Sequence, residues 1–292
     1  MLLYNDFTNH TKLSPRRIAF REYGDAHSEN ILLCIPGLLE SQNVFDEIVN
    51  FVEQHEGCRL ITVDHCGRGK SDWLDDSSAY RMSIYLADLR RLITHIHATH
   101  KRLTRRLILL GSSMGGLLAI NLTTQKQLRV KGLILNDVGL TVSWKGLFDL
   151  YSNKRDYGDK HGRKKPFIRL NHDPRLISAV RYPGHADLRY RVNFHGLHFE
   201  NKLRDFQGPV LLIRGGKSKI CSIVDEKILK RHARNAEIML IENEGHPVTY
   251  GPEVLSKLSV FLKLRKTSLS LATDMFSTEY QVTNKYQMLS CN

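Results

Sequence analysis

The run Gly111-Ser112-Ser113-Met114-Gly115-Gly116 has the residue types and spacing of a nucleophile on a tight turn. It follows the apolar stretch RRLILL and opens another, MGGLLAINL, so Ser113 would sit where a strand gives way to a helix. A serine held there takes a strained backbone conformation, and the residues two positions either side of it must be small. Gly111 and Gly115 meet that need. The helix start beyond them offers unpaired N–H groups to a developing negative charge. This is equipment for acyl transfer, and it still needs a base and a carboxylate to orient that base.

The elements that must position such a serine are legible as apolar runs. Strands are expected at RIAFREYG (17–24), NILLCIPG (30–37), CRLITVDH (58–65), RRLILLG (105–111), VKGLILND (130–137), GPVLLIR (208–214) and AEIMLIE (236–242). Several are continuously apolar, as parallel strands covered on both faces are. Amphipathic helical stretches lie between them: SQNVFDEIVNFVEQH, YRMSIYLADLRRLITHIHATH, MGGLLAINLTTQ, SIVDEKILKRHA and PEVLSKLSVFLKLR. The alternation implies an α/β protein with a mostly parallel, doubly wound sheet. Residues 140–205 break the rhythm. They are basic, rich in His and Tyr, and long enough between two strands to be a lid. The polar stretch 265–292 reads as a loosely packed appendage. The expected division is a core of 1–139 and 206–264, a helical cap of 140–205 and a tail of 265–292.

From about residue 15 to 264 the chain resembles the α/β-hydrolase fold. Ile35-Pro36-Gly37-Leu38-Leu39 falls where such enzymes place an H-G-x or P-G-x oxyanion loop. The resemblance implies that the backbone N–H groups of Leu38 and Met114 form the oxyanion hole. Asp64-His65-Cys66-Gly67-Arg68-Gly69-Lys70-Ser71 resembles the D-x-R-G-x-G-x-S turn of the family, which makes Asp64 and His65 turn formers. Glu244-Gly245-His246-Pro247 resembles the G-x-G-H-x-P loop, and His246 is the implied general base.

The acid departs from the pattern. Relatives usually read R-G-x-x-S-D after the strand that GPVLLIR represents, whereas this chain reads Arg214-Gly215-Gly216-Lys217-Ser218-Lys219. A lysine cannot accept the imidazole N–H, and its charge opposes imidazolium formation. Asp137 is the first alternative, because it ends the strand beside the nucleophile strand and emerges at the same sheet edge. Asp225, another carboxylate, or no acid at all stay open. Leu135-Asn136-Asp137-Val138-Gly139 also resembles an L-N-D-x-G-P stretch of one hydrolase branch, where the aspartate accompanies the usual acid.

Composition narrows the partners. The chain has 292 residues, 41% hydrophobic and 25% charged, with a net charge of +13. Residues 141–205 hold 14 Lys+Arg against 7 Asp+Glu, with a cluster at Arg163, Lys164 and Lys165. No nucleic-acid fold signature accompanies that charge, so a solvated loop face leads, and an anion-attracting rim over a site is the livelier minority reading. Five scattered cysteines without CxxC spacing point to reduced thiols and a cytoplasmic setting. No secretory signal or membrane-length apolar run is visible. His95, His97 and His100 lack the four-residue pair of a helical zinc site and read as a solvated helix face, while His195 and His198 read as cap histidines. With no Walker loop and no helix-opening G-x-G-x-x-G, neither cofactor nor metal is implied. The expected function is a serine hydrolase acting on a carboxylic ester or related acyl substrate through an acyl-enzyme. The alternative is a hydrolase-fold binding protein with weak or no catalysis. Oligomeric state stays open.

Overall fold

The computed structural model describes residues 3–4, 16–100, 106–143, 173–179, 185–188, 191–193, 196–266 and 287–291. Its main sheet has eight strands: β1 Arg16–Gly24, β2 Asn30–Ile35, β3 Arg59–Val63, β4 Arg106–Ser112, β5 Val130–Asn136, β6 Val210–Gly215, β7 Ala236–Ile241 and β8 Gln287–Cys291. Their order is β7-β6-β5-β4-β2-β3-β1-β8. All pairings from β7 to β3 are parallel, and β1 and β8 are added antiparallel at one edge. The helices are α1 Asp46–Glu53, α2 Met82–Thr99, α3 Met114–Thr123, α4 Pro174–Ala179, α5 Ile223–His232 and α6 Pro252–Leu262.

Continuous apolar strands make sense because both faces are covered. Side chains alternate across a strand, and β2 divides accordingly. Ile31, Leu33 and Ile35 join a core with Leu89 and Leu92 of α2 and Leu118 and Leu122 of α3. Leu32 and Cys34 join the opposite core with Ile48 and Val52 of α1 and Leu258 and Leu262 of α6. The sheet is therefore sandwiched, and its strand ends are the free places where loops can gather.

Two expectations change. Among the described residues of the insertion only α4 is an α-helix. Thr141–Ser143, Arg191–Asn193 and Gly196–His198 form an antiparallel sheet, to which Leu3–Tyr4 adds from the other end of the chain. The described residues of the insertion thus hold a small antiparallel sheet as well as α4, and three-residue strands are too short to leave a periodic signature. Second, Gln287–Cys291 is no loose appendage: it pairs with β1 from Gln287↔Phe20 to Cys291↔Arg16. The cluster at residues 163–165 and His195 lie outside the described residues.

Candidate active site

Ser113 caps α3 with φ 50° and ψ −117°, the strained turn that its glycines suggested. The steric reason is measurable. A Cβ on Gly115 would stand 2.1 Å from the Ile35 carbonyl oxygen, and one on Gly111 2.4 Å from Gly116 Cα. The turn closes only without side chains there. Register then fixes the neighbour. Ser112 of β4 pairs with Asn136 of β5, so the next residues out, Ser113 and Asp137, leave the sheet side by side. Ser113 N–H donates to the Asn136 carbonyl at 3.1 Å, and Asp137 N–H to that of Ile213 on β6 at 2.7 Å.

His246 arrives from beyond β7 and bridges the two. Its Nδ1 lies 2.7 Å from Asp137 Oδ2 and its Nε2 lies 2.8 Å from Ser113 Oγ. A carboxylate only accepts, so Nδ1 carries the proton and Nε2 is left to accept from the serine hydroxyl. The Asp137 carboxylate is fully buried. Its Oδ1 accepts the Gly215 N–H at 3.0 Å, and its Oδ2 also accepts the Ser218 hydroxyl at 2.5 Å. Such buried bonds hold the carboxylate in one orientation. Of the alternatives kept open, Asp225 is occupied elsewhere: it forms a capping box with Ser222 at the start of α5 and accepts from Thr141 N–H.

Positioning comes from residues that the sequence did not single out. The Asn136 side chain donates to the Val248 carbonyl at 2.8 Å and accepts from Val248 N–H at 3.1 Å, tying the histidine loop to β5. The loop also runs close over β6, since a Cβ on Gly215 would stand 2.4 Å from the Gly245 carbonyl oxygen. The paired glycines of Arg214-Gly215-Gly216 make room for that crossing. Ser218 was visible only as the serine of the R-G-x-x-S pattern; its bond to Asp137 could not be read from one strand's spacing.

The loop of residues 36–39, expected to carry an oxyanion donor, is held from two sides. Gly37 N–H donates to Glu40 Oε2 at 2.6 Å. The Leu38 carbonyl accepts from Arg68 Nε at 2.8 Å and Nη2 at 2.5 Å. The Leu38 N–H lies between these anchors, which suits a donor that must not reorganise. Met114 is the first residue of α3, where a helix N–H has no carbonyl one turn earlier to accept it. Both residues line one cavity together with Ser113, Asp137 and His246. The remaining wall is mainly apolar, from Met82, Leu117, Val138, Val142, Leu197 and Phe199. The cap adds His185, whose Nε2 lies 3.1 Å from Tyr85 Oη; nothing in its sequence context marked it.

Other expected residues fall outside this cluster. Asp64 accepts from Gln42 N–H, Gln42 Nε2 and Lys70 N–H, as a turn former does. His65 is buried, donates to the Pro36 carbonyl at 3.3 Å and stacks on Tyr85. Burial, then the Arg68 charge, push its pKa down to about 3. His95, His97 and His100 are half-buried rather than solvated; His97 Nε2 donates to the Leu128 carbonyl and His100 lies beside Arg59 and Glu22. His198 lies 3.4 Å from both Glu200 Oε1 and Thr141 Oγ1. No group able to hold a metal ion occurs among the described residues, and no helix there is long and apolar enough to cross a membrane.

The sheet order, the strained serine turn and the loops at the strand ends give this chain the α/β-hydrolase fold. Residues 26–154 match the family model described as serine aminopeptidase, S33. The chain is similar to the 3-hydroxybutyrate-oligomer hydrolase of Cupriavidus necator, 25% identical over 80% of this chain and 88% of the relative. It is also similar to the sn-1-specific diacylglycerol lipase ABHD11 of Mus musculus, 26% identical over 76% of each. Among solved structures, a hydrolase from Rickettsia typhi shares the fold with a TM-score of 0.70 at 19% identity, covering 90% of this chain and 98% of that one. The relatives are hydrolases, and they support hydrolase activity for this chain in general terms.

Proposed function

We propose that the protein is a serine hydrolase that cleaves a carboxylic ester or related acyl substrate through an acyl-enzyme. The observation that carries this reading is the continuous pair of hydrogen bonds from Ser113 Oγ through His246 to Asp137. In the proposed reaction His246 Nε2 takes the Ser113 proton as the hydroxyl attacks the acyl carbon, and Leu38 and Met114 N–H groups receive the oxyanion. The protonated ring, oriented by Asp137, then gives its proton to the departing alcohol. Water, activated by the same histidine, releases the acid from Ser113. Val142, Leu197 and Phe199, apolar residues that the insertion at 140–205 places in the cavity wall, receive the acyl chain.

The printed activities of the similar proteins, an oligoester hydrolase and a lipase, agree with an ester as substrate. Non-catalytic binding was favoured by Lys219 at the usual acid position, and a carboxylate on His246 from another strand speaks against it. Four buried free thiols, Cys34, Cys58, Cys66 and Cys221, fit a reducing cytoplasmic compartment.

The test is fluorophosphonate labelling together with turnover of short-chain p-nitrophenyl esters, each compared with Ser113→Ala. Labelling and turnover that depend on Ser113 are expected. Their absence in a folded wild-type protein sinks the enzyme reading.

A further inference from the structure

We propose that Lys219 is a substrate-binding residue, and that the ester carries a free carboxylate which its ammonium group pairs with. The proposal rests on the ester-hydrolase reading and adds the chemical class of the substrate.

Lys219 lines the same cavity as Ser113 and His246. Its place there is fixed by its neighbour: Ser218 is hydrogen-bonded to Asp137, so the next residue begins at the edge of the triad. Among the described residues of the cavity wall Lys219 is the only lysine or arginine, and most of that wall is apolar.

The carboxylates around it are occupied. Asp137 holds His246, Ser218 and Gly215. Asp225 closes the capping box of α5, and Glu226 pairs with Arg214. Glu244 accepts from the Thr249 hydroxyl. No ion pair involves Lys219 among the described residues. Among the described residues the cleft thus combines a mainly apolar lining, a nucleophile and one ammonium without an ion-pair partner. Lys219 is exposed where it lines the cavity, so its ammonium is free to meet an anionic group on an entering substrate in a charge-assisted bond.

A single flexible ammonium suits a monoanion. A phosphate dianion would draw more donors, typically a planar guanidinium fork, and no arginine joins the described lining. The charge of Asp137 is offset by the donors it accepts from, the Gly215 N–H, the Ser218 hydroxyl and the His246 ring N–H. On this account the lysine that displaces the usual acid has not simply cost the site a carboxylate. It has changed which esters the site prefers.

The experiment compares acid and neutral amide versions of one ester. Carboxylate on the acyl half is probed with monomethyl glutarate against methyl glutaramate. Carboxylate on the alcohol half is probed with 3-butyryloxybutyrate against its amide. The quantity read is the acid-to-amide ratio of kcat/KM, which cancels any effect of the substitution on the triad itself. Wild type is expected to favour the acid in one of the two pairs, and Lys219→Gln to lower that ratio about tenfold, the scale of a charge-assisted bond at a partly exposed site. Lys219→Arg should keep the preference and Lys219→Glu should reverse it; added salt should reduce it in wild type. Equal ratios in wild type and Lys219→Gln for both pairs would leave Lys219 a solvated side chain and overturn the proposal, while ester turnover itself leaves the hydrolase reading standing. No Ser113-dependent turnover of any ester removes both.

Discussion

Two Asp–His pairs stand at strand ends of this sheet, and they have different uses. Asp64 and His65 are adjacent in sequence after β3, yet the carboxylate is consumed by Gln42 and Lys70 and the imidazole is buried against Tyr85. Asp137 and His246 are 109 residues apart, yet they meet at 2.7 Å with Ser113 on the far side of the ring. Adjacency made a turn; register made a site. A residue's chemistry is decided by what its polar atoms have left to do after the fold has used them.

The comparison can be broken most forcefully at Asp137. Asp137→Asn is expected to cut kcat for an ester by about 10⁴, by analogy with the orienting aspartate of serine proteases, in a protein that still unfolds cooperatively. An unchanged rate would reduce Asp137 to the same structural standing as Asp64.

His65 supplies the next effect, on stability rather than rate. Its folded pKa of about 3 lies below the ordinary 6.5. Above that ordinary value both folded and unfolded chains carry the neutral ring. Below it the unfolded chain takes a proton that the folded site refuses until about pH 3, so stability falls with pH. The slope approaches about 1.4 kcal/mol per pH unit from this one group. The difference in unfolding free energy between wild type and His65→Gln, from urea titrations between pH 7 and pH 4.5, should change with pH by that slope. Parallel curves would mean that His65 is not held neutral.

Asp64→Asn should lower unfolding free energy by about 1–3 kcal/mol, because an amide cannot accept from all three donors. Its activity per folded molecule should fall far less than that of Asp137→Asn. The smallest effect is expected at Ser218→Ala, which removes one of several bonds to Asp137. A loss of about 1 kcal/mol in transition-state stabilisation, roughly fivefold in kcat/KM, would sharpen the view that Asp137 is held by several partners.

The same contrast explains what the sequence could disclose. The seven expected strands and five helical stretches are all present, because buried parallel strands and their covering helices must be apolar in period. Ser113 and its glycines were legible because steric closure of the turn restricts residue type locally. The carboxylate was not, because its reach to His246 depends on Ser112 pairing with Asn136 and on a loop from beyond β7 crossing Gly215. Those are relations between strands, and no single segment encodes them. Asn136 illustrates this: its side chain ties the end of β5 to a loop 112 residues away. Gln287–Cys291 escaped for a different reason. An edge strand that leaves Gln287, Met288 and Ser290 exposed needs no apolar alternation to pair with β1.

One consequence concerns how such a sequence can be altered. Ser113 and Asp137 both have positive φ, 50° and 54°, a conformation that glycine adopts at little cost. A redesign guided only by thermal robustness would favour glycine at Ser113 and erase the nucleophile, whereas glycine at Asp137 would leave the donors of Gly215, Ser218 and His246 unpaired. In a library selected for folding alone, Ser113 should therefore drift before Asp137, and it marks where selection for persistence and selection for turnover pull apart.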